Sequence, residues 1–317
     1  MSAAVAIREG YGRALAEYGA VDAKVVVLDA DTASSTFSCY FAERFPDRFF
    51  NVGIAEPCMV DMAVGFALGG KVPFVNAFAA LLSLRALEQV RTCVCYARAN
   101  VKLVGGFAGV SDFKDGPTHH SITDLAIMRA LPGMTVIVPA DATEAARWVP
   151  IVAALDGPVF MRVSRGSALP AGNEGLPLEV GRGLVLRAGR DVTLVATGTM
   201  VGRCLKAADE LRKMGAEARV LEIHTLKPID ADLICRAAEE TGALVSAEEH
   251  SVVGGLGGAV AEVLSEGYPA PLERVGIADR FTHTGPSPEA LMDAFGLSVE
   301  SIVAAARRAM GRKRGGR

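Results

Sequence analysis

The sequence predicts an α/β protein of two domains, each a mainly parallel sheet flanked by helices, and three observations carry that prediction. Short β-branched apolar runs alternate with helical patterns over nearly the whole length, as in parallel sheets covered by helices. At about 100–200 residues per domain, 317 residues supply about two cores. Half the residues are hydrophobic and 22% are charged, which is too apolar for a disordered chain.

In the first half, strands are predicted at Lys24–Asp29, Phe49–Val52, Val72–Ala77, Val101–Gly105, Thr135–Pro139 and Val159–Val163. A helix over Glu56–Leu68 has Pro57 in its first turn, where proline is tolerated, and Gly69-Gly70 as its stop. A second helix is predicted from Leu82 to Arg98, and a third over Thr143–Leu155 with Asp141 as N-cap. The stretch Ser164–Leu186 is rich in Gly and Pro and lacks periodicity, so the division reads as a first domain over 1–168, a linker over 169–186 and a second domain over 187–317. Strands at Val192–Ala196, Ala218–Glu222, Ala243–Ala247 and Leu272–Gly276 follow, with helices at Met200–Met214, Asp230–Thr241 and Leu256–Gly267. A turn-rich THTGPSPE segment and one closing helix complete the chain.

Lys plus Arg number 33 against 36 Asp plus Glu, a net charge of −3, so no broad positive field attracts nucleic acid or an anionic membrane. Any bound anion must be gripped locally. The basic end, Gly311–Arg317, reads as a solvated terminus. Six cysteines (Cys39, Cys58, Cys93, Cys95, Cys204, Cys235) lack zinc-site spacing and the density of a disulfide scaffold, which favours reduced thiols. The N-terminal stretch MSAAVAIREGYGRALAEYGA has no uninterrupted apolar run of the secretory kind, and no later run is long enough to cross a bilayer. A cytoplasmic protein with neither nucleic-acid nor membrane partners is the expectation.

Ligands of open parallel sheets gather at the carboxyl ends of strands. Four segments fall there: Asp29–Ser35, Asn51–Glu56, the stretch from Gly105 through Phe107 and Asp115 to His120, and Arg162–Arg165. Glu56 opens an apolar helix whose N-terminus favours the carboxylate while its neighbours favour the neutral acid. It is either a helix-capping acid or a group that exchanges a proton with a ligand. In KDGPTHHSITD, the Asp115-Gly116-Pro117 turn throws Thr118 to His120 into a loop whose side chains can converge on a ligand. Adjacent histidines point apart and no third ligand has suitable spacing, so no metal site is assigned and hydrogen bonding to a polyhydroxylated or carbonyl substrate is favoured. The glycine run VVGGLGGAV resembles a dinucleotide fingerprint, yet no acid follows at the required distance, which favours close helix packing.

Read in order, REGYGRAL, DAD, FFNVGIAEP, KVPFVNAFAAL, KDGPTHHSITDLAIMRALPGMTVIVPAD and GPVFMRVSR resemble the pyrimidine-binding domain of the transketolases. TLVATGTMVGRCLKAADELRKMGAEARVLEIHTLKPID and SAEEHSVVGGLGG resemble the C-terminal domain of the same thiamine diphosphate enzymes. No Gly-Asp-Gly, the family's diphosphate and metal motif, occurs in the sequence. The resemblance therefore implies the C-terminal subunit of a split transketolase that transfers a two-carbon ketol unit. A partner subunit carrying Gly-Asp-Gly would hold the diphosphate and its Mg or Ca in an α2β2 assembly, with this chain also contacting its own copy.

The resemblance makes Glu56 and His119 the expected catalytic residues, with Glu56 hydrogen-bonded to N1′ of the aminopyrimidine. Phe78 takes the place of an aromatic that stacks on that ring, Asp31 that of an acid near the cofactor, and Leu81 and Leu84 replace further aromatics. His119 and Asp115 match residues that contact sugar hydroxyls, and Arg8, Ser35 and Arg165 match those that grip the terminal phosphate. Guanidinium groups suit an oxyanion through paired donors and permanent charge. Three positions depart from the family pattern: Phe107 stands where histidine is usual, Lys114 where an acid is common, and Pro57 where glutamine is frequent. Loss of a hydroxyl-binding histidine at Phe107 points to a deoxy, sulfonated or branched sugar. The alternatives are the beta subunit of a 2-oxo acid dehydrogenase, whose substrates are short oxo acids, and a non-catalytic regulatory partner of a thiamine diphosphate enzyme.

Overall fold

A computed structural model describes residues 5–313. In the first half, β1 (Val25–Asp29), β2 (Phe49–Asn51), β3 (Val72–Phe78), β4 (Lys102–Gly106), β5 (Thr135–Ile137) and β6 (Val159–Arg162) pair in parallel in the order β5-β6-β4-β3-β1-β2. Strands β1, β4 and β6 are buried along their whole length, which is why they read as continuous apolar runs without alternation. In the second half, β7 (Leu184–Arg187), β8 (Val192–Ala196), β9 (Ala218–Glu222), β11 (Leu244–Ser251) and β12 (Leu272–Ile277) form a sheet in the order β12-β11-β8-β9-β7. It is parallel except for the antiparallel edge strand β7.

Two strands escaped the sequence reading: β7, which begins within the stretch read as a linker over 169–186, and β10 (Thr225–Lys227). β10, from the second half, pairs antiparallel with β5 and completes the first sheet as its seventh strand. A single apolar cluster accordingly runs from Val75, Leu103 and Val136 of the first sheet through Leu226 of β10 to Ile234 and Val260 beyond it. The connecting stretch is packed as well, with Ala171 and Asn173 buried.

Helices flank both faces. On one side of the first sheet, Ile7–Val21 and Ala142–Ala154 bring Tyr11 and Trp148 onto Val25 and Phe74. The second of these helices has the expected cap, since Asp141 Oδ1 accepts from the Glu144 amide at 2.9 Å. On the other side, Glu56–Leu68 ends at Gly69 as expected, but the helix predicted over 82–98 is not one α-helix. It comprises a π-helical stretch at Leu81–Arg85, a short turn at Leu87–Gln89 and a second π-helical stretch at Val90–Tyr96. Leu82, Ala86, Val90 and Val94 are all fully buried at four-residue spacing. An α-helix of 3.6 residues per turn rotates such a stripe by about 40° at each step, and the wider π turns rotate it the opposite way, so the succession of the two holds it on the core.

The closing segment is two helices, Pro288–Ala294 and Val299–Gly311, where one was expected. Of the basic end, residues 314–317 lie outside the described residues. Among the described residues no helix is long and apolar enough to cross a membrane, and all six cysteines are free.

Candidate active site

The predicted residues lie along the carboxyl edge of the first sheet. Glu56 is the first residue of its helix, beyond β2, and is wholly buried. Sequence reasoning missed its partner: both Glu56 oxygens accept from Arg85 Nη1, at 2.8 and 3.1 Å. The first π-helical stretch places Arg85 there with its guanidinium half exposed. Leu81, on the same stretch, is half-buried, and Leu84 is exposed.

Phe78 ends β3, and its ring centroid lies 4.5 Å from that of Phe107 and 5.6 Å from the His119 ring, which meets it edge-on. Phe107 directly follows β4 and adopts φ +58°, a conformation unfavourable for a side chain of that size. Held this way, its ring lies under two guanidinium groups, with Arg8 Cζ 5.1 Å and Arg165 Cζ 5.5 Å from the centroid. Arg8 Nε donates to the Arg165 carbonyl at 2.8 Å and its Nη1 to the Ser35 carbonyl at 2.6 Å. Ser35 thus enters through its backbone. Burial first, and then the neighbouring Arg165, pulls the Arg8 guanidinium below its ordinary value, while Asp112 and Glu9 oppose that shift.

Asp112, which sequence reading passed over, is buried with Oδ1 3.9 Å from Arg165 Nε, and its Oδ2 has no hydrogen-bond partner. Burial, reinforced by the adjacent Asp115, raises its carboxyl from 3.8 to about 6. Asp115 is exposed at the turn. His119 is half-buried beside Phe78, with Nδ1 3.0 Å from Thr118 Oγ1. His120 does not join it. Its ring is turned inward, with Nδ1 2.6 Å from Thr282 Oγ1 and Nε2 2.8 Å from the Asp112 carbonyl, and burial lowers its basicity.

Asp31 stands apart from this cluster. It is exposed at φ +62° and is held by Asn51, whose Nδ2 lies 3.2 Å from Asp31 Oδ1. The acid anchored inside the sheet is Asp29, which accepts from the Thr32 amide and from the hydroxyls of Thr32, Thr36 and Ser38. The glycine run after β11 is a packing device: Glu248 accepts the Leu256 and Gly257 amides at 2.7 and 2.8 Å, occupying the helix N-terminus that a phosphate would need. A Cβ on Gly257 would come within 2.8 Å of Ser246 Oγ. Among the described residues no group of three or more His, Cys, Asp or Glu could hold a metal ion.

Arg8, Ser35, Phe78, Phe107, His119 and Arg165 are therefore linked in one continuous cluster, and Glu56, paired with Arg85, stands beyond β2 on the same sheet edge. A buried carboxylate, a half-buried aromatic ring with a histidine at its edge, and two arginines over a second ring are together able to receive an aromatic group and an anion. The sequence matches the pyrimidine-binding domain of transketolase over residues 3–169 and the transketolase C-terminal domain over residues 181–302. The chain belongs to the transketolase family, whose enzymes depend on thiamine diphosphate, and it corresponds to the C-terminal subunit of a split transketolase.

It is 42% identical to the 6-deoxy-6-sulfo-D-fructose transketolase subunit SqwH of Clostridium sp. (strain MSTE9), covering 97% of this chain and 95% of that one. It is 37% identical to an apulose-4-phosphate transketolase subunit of Phocaeicola vulgatus, covering 94% and 95%. A split-gene transketolase solved as an inactive β4 tetramer superposes with a TM-score of 0.89 at 44% identity, covering 98% of this chain and 100% of that one. The transketolase of Leishmania mexicana, at 21% identity and a TM-score of 0.81, shares the fold over 100% of this chain and 47% of its own.

Proposed function

We propose that this chain, assembled as α2β2 with a partner that carries Gly-Asp-Gly, transfers a two-carbon ketol unit between a ketose donor and an aldose acceptor, one of which ends in a sulfonate. Glu56, Phe78, Leu81 and Asp31 are the residues that would receive the aminopyrimidine, and a buried carboxylate with a half-buried aromatic ring on the same sheet edge suits a ring with a basic nitrogen. When bound, thiamine diphosphate supplies the nucleophilic carbon, while the partner holds its diphosphate and the Mg or Ca. Glu56 holds a proton at the pyrimidine ring nitrogen, and Arg85 orients the carboxylate before that contact forms. His119 and Asp115 hydrogen-bond the sugar hydroxyls beside the reacting carbonyl. Reduced thiols fit a cytoplasmic setting.

The observation that carries this reading is the pair of guanidinium groups, Arg8 and Arg165, over Phe107. Two half-buried guanidinium groups beside the buried Asp112 carboxyl make a local grip for an anion, which fits the charged end of a sugar. Phe107 replaces a hydroxyl-binding group with an apolar wall, as a deoxy carbon next to the anion would require. The sulfofructose and apulose phosphate relatives support the anionic terminus and the departure from ordinary pentose phosphates.

Two assays on the reconstituted mixed assembly test the proposal. Glu56→Gln should lower transfer by about a thousandfold with the fold intact by circular dichroism, because an amide cannot exchange a proton with the ring nitrogen while the volume is kept. Full activity of that variant refutes the catalytic assignment. Turnover of xylulose 5-phosphate with ribose 5-phosphate at a rate equal to that of a sulfonated ketose refutes the substrate assignment.

A further inference from the structure

The loop between β4 and the helix Asp124–Ala130 carries Phe107, Asp115 and His119, yet much of what holds it comes from the other domain. The Val110 amide donates to Glu249 Oε1 at 2.8 Å, and the second Glu249 oxygen accepts from Thr199 Oγ1 at 2.7 Å. The Gly285 amide donates to the Phe113 carbonyl at 2.9 Å, and the Ser251 amide to the Ile122 carbonyl at 2.9 Å. Thr282 Oγ1 lies 2.6 Å from His120 Nδ1. Arg162 Nη2 ties the two sides together by donating to the Ser121 carbonyl at 3.0 Å and the Glu249 carbonyl at 2.9 Å. Val110 belongs to the apolar core of the second sheet, with Phe113 and Ile122 packed against it. Gly109, at φ +66°, has no room for a side chain because the Glu249 carboxyl fills the space a Cβ would take.

Taking this loop as the sugar-contacting loop proposed above, we propose that Glu249 and Thr282 of the second domain are positioning residues for the sugar site. The second domain acts as the mould of the loop. Glu249 fixes its start, three residues beyond Phe107, and Thr282 fixes its end, one residue beyond His119. Neither touches the substrate. Their effect is to set how far Asp115 and His119 reach toward the hydroxyls. The turn-rich stretch from Thr282 to Gly285 thereby acquires a role.

The experiment has two readouts, hydrogen exchange of the full chain and kinetics of the chain assembled with its partner. Glu249→Ala should speed exchange at the Val110 amide about tenfold or more and raise the sugar KM about tenfold, with kcat within about twofold and thiamine diphosphate affinity unchanged. Glu249→Gln should restore both, since its amide oxygen still accepts from Val110 and its amide nitrogen can donate to the Thr199 hydroxyl. If Glu249→Ala fails to fold, Thr282→Val supplies a near-isosteric loss of the second tether, read at the loop amides around His120. Unchanged exchange in the folded variants overturns the tether. Faster exchange with an unchanged sugar KM overturns the positioning role, and neither result depends on whether Glu56 is catalytic.

Discussion

The carboxyl edges of the two sheets have similar ingredients and opposite fates. The first offers Glu56, Asp112, His119, Arg8 and Arg165, several of them half-exposed and linked across an open surface. The second offers Glu222, His224, Glu248, Glu249 and His250, all buried. Glu248 caps a helix, Glu249 holds a loop, and Glu222 accepts from Asn173 Nδ2 at 2.7 Å while the same amide serves Glu144 at 3.1 Å. The carboxyl end of a parallel strand thus provides a binding site only where the neighbouring loops leave it open. Here the loop that carries the first edge's chemistry is the lid on the second edge.

Three substitutions should sharpen that contrast. On the open edge, Arg165→Ala should cut kcat/KM for an anionic sugar by about a hundredfold and barely affect a neutral analogue, because a charge-assisted contact is lost without disturbing the core. Steady-state kinetics with the two substrates check it. On the closed edge, Glu248→Ala should leave the sugar KM alone and lower stability by about 2 kcal/mol, as expected when a buried charged acceptor leaves two helix amides unpaired. Denaturant unfolding measures this loss.

The smallest effect concerns pH. Asp112 has a raised carboxyl, so its stabilising contribution is complete below its ordinary 3.8 and is lost as pH rises through about 6. Over the same rise it becomes an anion beside Arg165, and the KM for an anionic sugar should increase a few-fold. Asp112→Asn should flatten that dependence in a pH series of initial rates.

Most strands are legible in the sequence because each is a short apolar run with its own turn signals, and Asp141 is legible as a cap because the signal is local. Glu56 is visible from its place at the junction of a strand end and an apolar helix. Arg85 is not, because the two residues meet across separate elements and no local spacing records that contact. β10 is hidden for a related reason: Thr-Leu-Lys carries too little pattern of its own and becomes a strand through its pairing with β5. The family pattern points to Asp31 as the acid near the cofactor, although the hydroxyls of Thr32, Thr36 and Ser38 downstream mark Asp29 as the carboxylate that the fold encloses. The four-residue stripe from Leu82 to Val94 marks a helical segment, but an α-helix shares that spacing, so the π turns within it are not legible.

The pairing of β10 with β5 also bears on how the protein is made. During synthesis the first domain leaves the ribosome with the β5 edge unpaired, and it stays open until Thr225–Lys227 has followed. An unpaired edge is a template for another chain, so the nascent first domain passes through a period of exposure to mispairing. Recombinant fragments cut within the connecting segment would retain that open edge permanently, and the first domain would aggregate when expressed alone.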